Sequence, residues 1–88
     1  MKMAQRKLQS QDVIEWLNDN PFYRFRKSYN LSLRQMCDLM GINHVAYHYY
    51  ETGQRMPRED KWPFIEQQLK FNKREYQIWL KLRPNQEI

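Results

Sequence analysis

Four side chains within a six-residue stretch, His44, Val45, His48 and Tyr49, could do chemistry together. They fall on one side of a short helical pattern whose opposite stripe is Ala46, Tyr47 and Tyr50. Histidine can donate to guanine or phosphate, valine can meet a thymine methyl, and tyrosine can donate to phosphate or pack on a sugar. Arg34 and Gln35 precede this stretch, and Gln54, Arg55 and Arg58 follow it. These residue types suit phosphate oxygens, which fix position without reading sequence. Asn43, directly before the pattern, is the only amide adjoining the outward face. Arginine, lysine and glutamine, which give strong bidentate base readout, are missing from that face. Any reading of base edges from this face is therefore expected to be modest.

Other chemistries fit less well. His44 and His48 lie one turn apart, but Cys37 is the only other nitrogen or sulfur ligand nearby, and it belongs to an inward face. Structural zinc wants four ligands in tight pairs, so no metal is expected. Tyr47, Tyr49 and Tyr50 could form a stacking platform for single strands, yet two of them are better placed as core. No nucleophile–base pair, phosphate loop or carboxylate pair is visible. No catalytic residue, enzymatic activity or cofactor is expected.

The elements that must position these residues lie between 31 and 57. Ser32 can cap a first helix, in which Met36, Cys37 and Met40 share a face. Gly41 supplies the backbone for a sharp turn. Ile42 plugs the angle between the helices, and Asn43 caps the second one. This is a helix-turn-helix layout with a helix-turn-helix core over 32–51, whose second helix is presented to a partner.

The stretch resembles the lambda repressor, Cro and Xre superfamily. Its pattern is carried here by Cys37, Gly41, Ile42, Asn43, Tyr47, Tyr50, Glu51, Gly53 and Pro57, with Arg26 and Leu31 also in their usual places. The resemblance covers roughly residues 22–70. It implies a DNA-binding regulator whose second helix enters the major groove, with the loop bearing Arg55 and Arg58 along the backbone. It also implies a symmetric dimer on two half-sites. Leu33 departs from the family, standing where many members carry a glutamine that buttresses the contact.

Charge agrees with a polyanion partner. The chain carries 15 Lys and Arg against 10 Asp and Glu, a net +5. Residues 22–58 hold six cations against two acids, a net +4, so most of the excess surrounds the motif. One cysteine excludes an internal disulfide and favours a reducing, cytoplasmic setting. No apolar run approaches the roughly 18 residues of a membrane span, and the basic start has no apolar stretch of secretory type.

The remaining segments read as helices. Ser10 can cap one with Val13, Ile14, Trp16 and Leu17 on its apolar face; this extra N-terminal helix either packs on the domain, which is favoured, or makes a dimer contact. Asn20-Pro21 starts the next helix, with Phe22, Phe25 and Tyr29 on the core side. Trp62-Pro63 starts another, with Phe64, Ile65 and Leu69 inward; a register from Glu59 also accommodates Pro63. Asn72 to Glu75 reads as a capping box before a helix bearing Tyr76, Ile78 and Trp79, the candidate dimer surface. The expectation is all-α: a five- or six-helix, lambda-repressor-like domain over 10–84, with a flexible basic segment at 1–9 and a tail at 85–88. Double-stranded DNA is the expected partner of a phage or mobile-element regulator. A protein-interaction module or inhibitor reusing this fold is the alternative, and an RNA partner stays open.

Overall fold

A computed structural model describes residues 11–84, and every regular element among them is helical. The order is α1 (11–18), α2 (Pro21–Ser28), α3 (Leu33–Met40), α4 (His44–Thr52), a 3-10 turn (Glu59–Lys61), α5 (Trp62–Gln68) and α6 (Lys73–Lys81). The segments expected at 1–9 and 85–88, and the Ser10 cap, lie outside the described residues. No helix among the described residues is long and apolar enough to cross a membrane.

Local chemistry sets most boundaries. The side-chain oxygens of Asn20, Ser32, Asn43 and Asn72 accept from the backbone N–H of Tyr23, Gln35, Ala46 and Glu75, satisfying donors that a first turn leaves free. Both Ser32–Gln35 and Asn72–Glu75 close reciprocal capping boxes. At the other ends, Asn30, Gly41 and Gly53 adopt left-handed backbone. The N–H of the residue after each bonds back to a carbonyl five positions earlier.

The core is aromatic and centred on the fully buried Phe22. Its ring meets Phe71, Tyr76 and Tyr47 edge-on at centroid distances of 4.9, 5.6 and 6.0 Å, and lies against Tyr50 at 5.5 Å. Met36, Cys37 and Met40 from α3, and Trp62, Ile65 and Leu69 from α5 and its end, close around it. Burial raises the Cys37 thiol pKa, which keeps it in the protonated form.

The N-terminal helix packs on the domain mainly through Trp16, with the partly buried Leu17 against the same core. Trp16 stacks on Trp79 at 4.0 Å with the rings 3° from parallel. Each indole N–H donates to the other residue's carbonyl: Trp16 Nε1 to Trp79 O at 2.7 Å, and Trp79 Nε1 to Trp16 O at 2.6 Å. The stack roofs the left-handed turn at Gly53. A Cβ there would come within 3.0 Å of both rings, whereas one at Gly41 would meet nothing within 4 Å. Gly41→Ala should therefore cost only the left-handed backbone, about 1–2 kcal/mol. Gly53→Ala adds overpacking against two buried rings and should cost about 3–4 kcal/mol by urea denaturation. Equal losses would contradict this packing.

Several expected orientations are corrected. Tyr29 is 65% exposed, because α2 ends at Ser28 and the chain departs before the helical period can turn the ring inward. Phe64 is also exposed; the 3-10 turn starts α5 at Trp62, so the inward positions are Trp62, Ile65 and Leu69. Ile14 is exposed while Trp16 carries the burial of α1. On α6, Tyr76 and Trp79 are core residues, 0% and 4% exposed, which leaves them little surface to offer a second copy. Trp16 covers Trp79, and Phe22 and Trp62 flank Tyr76, leaving Ile78 alone of the three exposed.

Candidate nucleic-acid interface

Helix α4 is held from behind by a set of polar contacts. Arg26 of α2 reaches Glu51 with two nitrogens, Nε at 2.8 Å from Oε2 and Nη2 at 3.4 Å from Oε1. Tyr47 Oη donates to the same Oε2 at 2.5 Å. All three groups are shielded from solvent, with the Arg26 and Glu51 side chains only 15% and 13% exposed. The hydrogen bond to Glu51 raises the Arg26 pKa against the opposing effect of burial. Burial first, and the bond to Glu51 second, push the Tyr47 phenol far above the ordinary range. The network thus fixes Arg26 as a cation, Glu51 as its acceptor and Tyr47 as a neutral donor.

The end of α4 is held by a second set. The Tyr50 carbonyl, one of the acceptors a helix C-terminus leaves unpaired, accepts from Asn20 Nδ2 at 3.0 Å and Tyr76 Oη at 2.6 Å. Asn20 is fully buried and also caps α2, so a single amide ties the start of one helix to the end of another. Tyr76 Oη lies 3.4 Å from the Arg55 carbonyl as well, anchoring the loop after α4. A contact helix fixed this way loses little freedom on binding.

What this scaffold presents is the outer face of α4. His44, Val45 and His48 are exposed, and Tyr49 is half-buried. These four surround one shallow groove with Leu33 and Cys37 of α3 and Tyr47. The Arg55 guanidinium lies over the Tyr49 ring, 5.1 Å from its centroid, which adds a cation to that end of the groove. Arg34, Gln35, Asn43, Gln54 and Arg58 are exposed but lie outside the lining of the groove.

Three of these side chains already have intramolecular work. Gln35 Oε1 accepts from the Ser32 N–H at 2.8 Å, leaving its amide N–H groups to donate. Asn43 Oδ1 is committed to Ala46 N–H, and Gln54 Nε2 donates to Thr52 Oγ1 at 3.0 Å. Sequence reasoning gave Tyr47 to the core without its hydroxyl bond; its i, i+4 spacing to Glu51 was the available signal. Leu33, read only as a departure from the family, lines the groove.

The geometry defines a helix-turn-helix domain that presents its second helix on a cationic surface. A helix-turn-helix family model matches residues 22–75, and the chain belongs to that family of lambda repressor/Cro/Xre-like, DNA-binding regulators. No curated protein and no solved structure matches the chain.

Proposed function

We propose that the protein is a small, sequence-preferring regulator of transcription, repressor-like and of phage or mobile-element type, acting in the cytoplasm. Helix α4, over 44–51, enters the major groove with His44, Val45, His48 and Tyr49 at base edges, and Asn43 at their margin. Arg34, Gln35, Gln54, Arg55 and Arg58 hold the phosphates. The observation that carries this reading is the exposed α4 face, tied down from behind through Glu51 and the Tyr50 carbonyl and accompanied by the exposed Arg34, Arg55 and Arg58.

Binding as a homodimer is part of the proposal. With Tyr76 and Trp79 inside the core, the surface proposed for the contact is the groove between α2 and α6, where Tyr29, Ile78 and Leu82 are exposed. Arg24 and Lys70, and Asp19 and Glu75, also line it. Both charge signs on one patch suit a twofold contact, in which each cation can face the other copy's acid.

The double variant Arg34→Ala/Arg55→Ala tests the phosphate contacts. Duplex affinity should fall by about 2–3 kcal/mol at moderate salt, and the log–log salt slope should become shallower by roughly 2. Unchanged affinity would reject those contacts. Sequencing the duplexes that the wild-type protein retains from a random pool should return a palindrome, with half-sites about one helical turn apart. A lone half-site would reject the dimer.

A further inference from the structure

The groove beside α4 has a composition that hydrogen-bonding readout does not explain. Leu33, in the first turn of α3, and Val45, in the first turn of α4, are 45% and 61% exposed. They belong to different helices yet line the same groove, whose floor includes the buried Cys37 and Tyr47. Single exposed aliphatic residues are ordinary on a protein surface. Two sharing one groove on the face presented to a partner form a small apolar receptor. Its polar neighbours, His44 and His48, each offer single donors and no bidentate fork.

Base pairs display hydrogen-bond donors and acceptors in the major groove, and the one apolar group that projects there beyond a ring hydrogen is the C5-methyl of thymine. Arg55 over Tyr49 places positive charge at one end of the groove, which favours a phosphate-bearing occupant over an apolar peptide. We propose that Leu33 and Val45 together form a receptor for thymine methyl groups, so that the protein reads its site through methyls where hydrogen-bonding side chains are scarce. This rests on the DNA-binding reading above and adds the chemistry of selectivity. Leu33 thereby becomes a specificity residue: an aliphatic wall for a methyl, at the position of a polar buttress.

The experiment uses the full chain and the duplex most enriched from a random-sequence pool. That duplex is resynthesised with deoxyuridine replacing each thymine in turn, which deletes one methyl and leaves every hydrogen-bonding group. At one or more thymines per half-site, the uracil form should bind about three- to fivefold more weakly, the scale of burying one methyl. In Leu33→Ala/Val45→Ala, whose altered side chains are exposed and outside the core, that ratio should fall to near one while the salt slope is unchanged. Equal affinity for thymine and uracil forms at every position would overturn the proposal. So would a ratio that survives in the double variant, since the methyl would then be read elsewhere. Failure to bind any duplex at low salt would instead sink the DNA-binding reading itself.

Discussion

Trp16→Ala should destabilise the protein by about 3–5 kcal/mol, the range for deleting a large buried aromatic. A domain of this size has roughly 4–13 kcal/mol in total, so the variant should be partly unfolded at 37 °C. The loss has three sources: a stacked ring pair, the N–H bond to Trp79 O, and the acceptor for Trp79 Nε1 whose geometry depends on where α1 lies. Because the same rings roof the Gly53 turn, the end of α4 should loosen as well. Amide exchange near 50–54 should accelerate with that in α1. Trp16→Phe keeps a ring but forfeits the donor, and should cost about 1–2 kcal/mol. If Trp16→Ala melted within a few degrees of wild type, α1 would be an appendage and the Trp16–Trp79 account would be wrong.

The second large effect belongs to Glu51. Glu51→Ala leaves the Arg26 guanidinium mostly buried without its carboxylate and the Tyr47 hydroxyl without its acceptor. Removing one partner from such a pair should cost about 3 kcal/mol. Glu51→Gln retains an acceptor for Tyr47 and removes the charge, so about 1–2 kcal/mol is expected. The double variant Arg26→Met/Glu51→Met should lose less than Glu51→Ala alone, because no uncompensated charge remains. Denaturant midpoints for the three variants settle the order. A double variant no more stable than Glu51→Ala would contradict the penalty assigned to the unpaired Arg26 charge.

Reading the chain alone recovers the features that depend on short-range chemistry. Asn20, Ser32, Asn43 and Asn72 are caps because their side chains reach an N–H three residues on, a relation visible as spacing. Gly41 and Gly53 mark turns because left-handed backbone favours glycine. The helix-turn-helix follows from these and from the apolar stripes on α3 and α4. Long-range features were not legible. Trp16 and Trp79 are 63 positions apart, and no local pattern announces that each donates to the other's carbonyl. That pairing withdrew Trp79 from the surface where a dimer contact had been expected.

Helical phase failed where a helix stopped or began off register. Tyr29 continues the α2 spacing but lies beyond its last turn, and the 3-10 turn before Trp62 decides which residues of α5 face inward. Lys70 takes left-handed backbone with no glycine to signal it. Ser32 and Gln35 have the spacing of a capping box, but the same exposed glutamine also suits a phosphate contact, and spacing alone does not choose between the two. On the candidate interface, residue types and spacing placed His44, Val45 and His48 outward. They gave no sign that Leu33, twelve residues before Val45, shares their groove.

The most direct test of the central claim, that the α4 face is what meets a duplex, is amide chemical-shift mapping of the labelled protein at low salt with a duplex carrying a single half-site, which gives no second site on which to assemble a dimer. Shifts should cluster at 33–35, 43–49 and 54–58 and leave Tyr29, Ile78 and Leu82 of the α2–α6 groove unmoved. Shifts centred on that other groove, with 43–49 silent, would contradict the account.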